Sequence, residues 1–382
     1  MPVSRREFLS LTAAIASVLG TRLGNAAATP ASGLYARCIA IDGLGGPGGI
    51  ETEEGAPLSV PMLGDVRASG MTALHLTVGG VGTMPSLEAF EKIVRDIARW
   101  EGEVDRSPTV LARIRTADDI RTAKRDGRTG LIYGLQDGVS FEDDLDRLTA
   151  LRQVGIRVIQ PTYNRRNLLG DGCMEPADAG LSKAGHEAIE RMNALGILVD
   201  LSHCSRRTAA DAIAASRRPV AFTHTGCAAL ADHPRHRADA ELKSVADKGG
   251  VSGIFVMPYL AKGCQPTAAD VVAHLEHAVK VCGEDHVSIG TDGTLSPIEL
   301  TAEFAAKFRE NVRHRKETGI AAPYESEDGY LFASDLNTPR RFETLAGLLL
   351  ERGHGEARVE KVLGANLLRV FGETWPPSAS PG

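Results

Sequence analysis

An α/β fold built as a single (β/α)8 barrel of the TIM type is the architecture this sequence predicts, on three observations. Eight short apolar segments have the length of buried strands: 37–44, 71–78, 130–137, 156–164, 197–203, 219–225, 250–258 and 286–293. Stretches with apolar residues at three- and four-residue spacing fill most of the gaps between them. Polar, chemically capable residues gather at the carboxyl ends of the segments: Asp42, Gln136 and Asp137, Tyr163 and Asn164, His203, His224, and Asp292. In a β/α barrel those ends form the active-site mouth, so these residues are expected to converge.

Taken in chain order, residues 1–28 read as a targeting segment and are set aside from the fold. Ser4-Arg5-Arg6-Glu7-Phe8-Leu9 is a twin-arginine signature, and an apolar run and the small residues Ala26-Ala27-Ala28 follow it. Export by that route with cleavage near Ala28 is expected, leaving 29–382 as one periplasmic domain. Nothing later approaches a membrane span in length, so no stable membrane insertion is expected after cleavage.

The glycine-rich stretch 43–49 superficially suggests the phosphate-binding turn of an open doubly wound sheet. Pro47 in the turn and Glu51, Glu53 and Glu54 beyond it would repel a pyrophosphate, which favours the barrel. Helical faces follow at Leu87-Phe90-Ile93-Val94-Ile97, at Leu145-Leu148-Leu151 and at Ala188-Ile189-Met192-Leu195. Gly155 stops one helix before Ile156, and Gly196 stops another before Ile197, the punctuation of a repeated α/β unit with a parallel sheet. The charged stretch 299–330 reads as a solvated helix and loop at the rim. Residues 340–371 read as two closing helices split at Gly353 to Gly355.

A formal net charge of −6 without a basic block argues against nucleic acid as a partner. Six cysteines in an exported chain allow up to three disulfides, but free buried thiols are at least as well supported, because Cys204 and Cys227 adjoin residues expected to do chemistry.

The chemistry centres on two histidines. Asp200-Leu201-Ser202-His203 and Phe222-Thr223-His224-Thr225 end consecutive strands. Neighbouring parallel strands lie roughly 4.8 Å apart, so two imidazoles at matching height can share one Zn²⁺. Asp292, ending the last strand, would face the same cavity and could hold a water or move a proton. Arg235, on the loop after the sixth strand, could bind a substrate carboxylate through its planar fork. The polar run 162–173, which includes Tyr163, Asn164 and Cys173, is expected to form one wall of the pocket.

Taken together, Gly180-Leu181-Ser182, the run from Met192 to His203, His233-Pro234-Arg235, Ile289-Gly290-Thr291-Asp292 and the run from Val362 to Phe371 resemble the membrane (renal) dipeptidase family, metallopeptidases of family M19. The resemblance implies a metallo-dependent hydrolase barrel holding two zinc ions and cleaving dipeptides, some members acting on β-lactam amides. It also implies that His203 and His224 bind the second zinc, Arg235 the substrate carboxylate, and that Asp292 handles the proton. Three positions depart from the family pattern. The first strand of the family ends Asp-Gly-His-Asn-Asp, whose histidine and final aspartate bind the first zinc, whereas Asp42-Gly43-Leu44-Gly45-Gly46 stands here; the glutamate that bridges the two zincs is Gln136; and a substrate-contacting histidine is Tyr163. Two Zn²⁺ want carboxylates to offset their charge, so one zinc or none is expected in place of two. A single metal would draw a further ligand from Asp292, Asp137, Asp42 or Cys173, with Gln136 a weak donor.

The function expected is an exported dipeptidase-like hydrolase of a small peptide or amide substrate, with Asp292 and Tyr163 catalytic and Arg235 and Asn164 binding substrate. The alternative is a catalytically silent barrel that binds a peptide-derived ligand. The partner expectations leave room for a homodimer.

Overall fold

The computed structural model describes residues 30–48, 56–82, 84–262, 265–317 and 321–375. The expected signal segment and Glu51, Glu53, Glu54 and Cys264 lie outside them.

Eight parallel strands make the barrel: β1 (Ile41–Asp42), β3 (Ala73–Thr77), β5 (Thr129–Leu135), β6 (Ile156–Ile159), β7 (Leu198–Asp200), β8 (Val220–Cys227), β10 (Val251–Ile254) and β11 (Val287–Ile289), each beside the next. Each overlaps one of the eight apolar segments; most are shorter than the segment, while β5 begins one residue before it and β8 runs two residues past it. The first differs most. Its opening residue ends helix α1 (Pro30–Arg37), and only Ile41–Asp42 is paired, in register with Ala73 and Leu74. Strands absent from the sequence reading include β4 (Leu111–Arg113), which pairs with the amino-terminal part of β5, ahead of the residues of β5 that pair with β6, and β9 (His236–Arg237), which pairs with the end of β8.

The ring closes between β11 and β1 through backbone and side chain together. Gly43 donates its N–H to the Ile289 carbonyl at 2.9 Å, and a second short parallel pair, β2 (Gly45–Gly46) with β12 (Gly293–Thr294), extends the seam. The Asp42 carboxylate ties it further, accepting from Thr291 N–H at 2.7 Å and Thr291 Oγ1 at 2.6 Å. Glycine is required around this point because the Thr223 carbonyl projects inward. A Cβ on Gly290 would lie 1.9 Å from that oxygen, and one on Gly253 2.1 Å. No side chain fits at those separations.

Inward residues of the strands, including Ile41, Ala73, Ile132, Val158, Leu198, Ala221 and Val251, pack against Leu367, Phe371 and Trp375. The last helix, Asn366–Thr374, therefore plugs the amino-terminal end of the barrel, and the carboxyl-terminal mouth is left for chemistry. The closing segment is more divided than the two helices expected: Arg341–Glu351, Glu356–Glu360, a π-turn at Lys361–Ala365, and Asn366–Thr374.

Outer helices stop at the glycines the sequence indicated. Ser182 accepts from Gly185 N–H to start the helix Lys183–Leu195, and Gly196 ends it at φ 65°; Gly155 likewise ends Arg147–Val154 at φ 116°. In the long helix Ser86–Arg106 the buried face is Ala89, Ile93, Ile97 and Trp100, whereas Leu87 and Val94 of the expected face are exposed. The five described cysteines are free thiols. The rim stretch contains a helix, Ala302–Glu317, tied to the loop that follows by an Arg315–Glu325 ion pair at 2.8 Å, and the Pro323 carbonyl of that loop lies 3.0 Å from His233 Nε2.

Candidate active site

His203, just beyond β7, and His224, within β8, meet as their adjacent strands require, Nε2 to Nε2 at 3.1 Å. Their hydrogen-bond partners fix which nitrogen carries the proton. Thr223 Oγ1 gives its one hydrogen to Asp200 Oδ2 at 2.6 Å, so at 2.8 Å from His224 Nδ1 it can only accept. Asn164 Oδ1, 2.7 Å from His203 Nδ1, is an acceptor as well. Both rings therefore donate from Nδ1, and both Nε2 lone pairs face one another.

Burial and the nearby Arg235 guanidinium hold both imidazoles far below their ordinary pKa, which keeps them neutral. Two bare nitrogens pointing together repel unless a cation sits between them. Zn–N bonds of about 2.1 Å at a tetrahedral angle would separate their nitrogens by about 3.4 Å, close to the spacing found. The pair fits one metal. Among the described residues no group of three or more His, Cys, Asp or Glu side chains is arranged to hold a metal.

Tyr163 stacks on His203 with ring centroids 4.1 Å apart, and burial pushes its hydroxyl up to about 12. Asn164, expected to bind substrate, orients His203 as described. Cys173 Sγ reaches Asn164 Oδ1 at 3.5 Å, and burial raises its thiol pKa, so it is a neutral neighbour. Arg235, expected to receive a carboxylate, is buried, with Nε donating to the Ser202 carbonyl and Nη2 to that of His224, each at 3.3 Å.

Asp292 occupies a left-handed conformation, φ 56°, unusual for a residue other than glycine. Its N–H donates to the Leu44 carbonyl at 2.8 Å across the barrel seam, which holds that conformation in place. Low-dielectric surroundings raise its carboxyl to about 6, with Arg235 pulling the other way. Gln136 donates Nε2 to Thr77 Oγ1 at 2.8 Å and faces the mouth. Asp137 is held by Gly82 N–H and Asn167 Nδ2, and Asp42 by Thr291 and Leu44, so both carboxylates are spent on structure.

Sequence reading missed two buried polar residues here. His75 on β3 is fully buried, with Nδ1 2.6 Å from the Gly43 carbonyl and Nε2 without a partner; inside an apolar strand it carried no signal. Asp200 was quoted only as part of the His203 motif, yet it anchors both Ser202 and Thr223.

A closed barrel whose mouth carries paired neutral histidines and a separate carboxylate places the molecule in the class of metal-dependent hydrolase barrels. The chain belongs to the membrane dipeptidase family, peptidase family M19, whose sequence profile matches residues 63–300; that family is metal-dependent, generally through zinc. An amidohydrolase from Pseudomonas aeruginosa shares 32% identity and superposes with a TM-score of 0.77, over 91% of this chain and 99% of that one. Dipeptidase verJ of Clonostachys rogersoniana is 28% identical over 273 residues, 70% of this chain and 61% of its own length. The chain thus spans about three fifths of that curated relative. A metallopeptidase from Rhodobacter sphaeroides, solved with a phosphinate mimic of L-Ala-D-Ala, has a TM-score of 0.71 over 88% of this chain and 99% of its own at 17% identity, a likeness of fold.

Proposed function

We propose that the chain hydrolyses a dipeptide or small amide, using one zinc or none, held by His203 and His224. The observation that carries this reading is the pair of bare Nε2 atoms at 3.1 Å, kept bare by Asn164 and by Thr223 with Asp200. A zinc bound there would supply Lewis acidity to a substrate carbonyl or to water.

The protein's own groups divide the remaining work. Asp292, with its carboxyl near 6, is ionised at neutral pH and can take a proton from water. As the water oxygen adds to the amide carbon and the C–N bond breaks, that proton passes to the leaving amine. Tyr163 keeps its proton and can donate a hydrogen bond while it stacks on His203.

The second reading, a silent binder, is favoured by Leu44, Gly46 and Gln136 standing where the family resemblance implies metal ligands. A panel of L,L- and L,D-dipeptides with and without added Zn²⁺, assayed on wild type and Asp292→Asn, separates the two. A hydrolase should lose about 10²-fold or more in kcat on that substitution while keeping its affinity. Binding of some dipeptide with cleavage of none, under every metal condition, would establish the binder.

Export is part of the same proposal. Replacing Arg5 and Arg6 with Lys should leave uncleaved precursor in the cytoplasm, and normal delivery of that variant would refute the assignment.

A further inference from the structure

Beside Asp292 the mouth opens into a cavity of about 330 Å³ whose walls are mainly apolar: Leu44, Leu76, Val256, Met257, Leu331 and Phe332. Among the described residues the charged side chains that line it are Asp292 and Arg341. Arg341 begins the helix Arg341–Glu351 and is 4% exposed. Its Nε donates to the Thr338 carbonyl at 2.9 Å. Among the described residues its terminal nitrogens have no acceptor, and no carboxylate lies within 4.0 Å of it.

Asp42 attracts this guanidinium from farther off, but the Asp42 oxygens are already held by Thr291 and Leu44. Nη1 lies along the β12 backbone, 3.3 Å from where a Cβ on Gly293 would stand. A buried, unpaired cation is costly, and an anion entering the cavity would offset that cost.

We propose that Arg341 receives the carboxylate of the ligand, and that the apolar walls take the side chain on the carbon bearing it. The ligand class is a C-terminal apolar amino acid in amide linkage, as in a dipeptide or an N-acyl amino acid. This rests on the hydrolase reading for the substrate class and differs from it in the anchoring residue. Arg235 has two of its three nitrogens on backbone carbonyls of the histidine-bearing segments, whereas Arg341 offers both terminal nitrogens as a planar fork. In such a ligand the amide nitrogen is bonded to the carbon that carries the carboxylate. Anchoring at Arg341 therefore sets the leaving amine in the cavity that Asp292 lines.

The test is calorimetric titration of the full chain with N-acetyl-L-leucine and N-acetyl-D-leucine and with the corresponding C-terminal amides, while chromatography of the same samples reads cleavage. At least one acid should bind about tenfold or more tighter than its amide. Arg341→Met should reduce that preference to about twofold or less, and Arg341→Lys should retain part of it, with thermal melts confirming that both fold. Equal affinity for acid and amide, no binding of either, or an undiminished preference in Arg341→Met would overturn the proposal. The wild-type comparison of acid with amide decides even if a variant fails to fold. Tight binding through Arg341 without cleavage would sink the hydrolase reading alone; cleavage of acid and amide with equal affinity would sink the Arg341 assignment alone.

Discussion

The barrel mouth has two halves built from the same kind of strand end, and they have come to opposite chemistry. Around β6, β7 and β8 the ends carry Tyr163, Asn164, His203 and His224, in a network that fixes each ring proton. Around β10, β11, β1, β3 and β5 they carry Val256, Leu44, Leu76 and Gln136, with Asp292 as the acid on that wall. The contrast shows how strand ends can be cross-linked by hydrogen bonds alone. On that side β1 and β11 are joined by the Asp42–Thr291 hydrogen bonds and the β2–β12 pair. The second half presents a mainly apolar pocket at its strand ends.

Because the Asp42 carboxylate holds that seam, Asp42→Ala is the largest expected effect on stability. Removing the carboxylate leaves the buried Thr291 N–H and Leu44 N–H unmatched, and a loss of about 2–4 kcal/mol is expected by denaturant titration. A loss under about 0.5 kcal/mol would mean that the backbone pairs alone close the barrel.

On the histidine side the comparison sharpens at Thr223. Thr223→Val removes the acceptor that holds the His224 proton on Nδ1, so zinc affinity should fall about 10- to 100-fold with the fold retained. Unchanged affinity would show that ring orientation does not depend on that hydroxyl.

A smaller and reversible effect is expected from pH. The Asp292 carboxyl lies near 6, raised by burial, and its ionised form is the one that accepts a proton. Activity should therefore fall about tenfold per unit as pH drops below about 6 and stay flat above it on this limb. Asp292→Asn should remove the limb along with most of the rate.

The eight strands were legible because buried parallel strands read as short apolar runs between helical periodicities, and the stop glycines 155 and 196 sat where the helices end. The histidine pair was legible too, since consecutive strands bring equivalent positions together. β4 escaped because three residues, one of them the exposed Arg113, make too short an apolar run. Arg341 escaped because Arg340-Arg341 at a helix start reads as solvated charge, and only tertiary packing buries the second of the two. The left-handed backbone of Asp292 left no local mark either; it is imposed by the Leu44 carbonyl across the seam.

The central claim is that one half of the mouth binds metal and the other does not, and elemental analysis of the purified full chain, dialysed against zinc and then against buffer, tests it most directly. About one zinc or none per chain is expected, with His203→Ala abolishing what is bound. Two tightly held zincs per chain would contradict the account, because the half lined by Leu44, Gly46 and Gln136 would then be holding a metal.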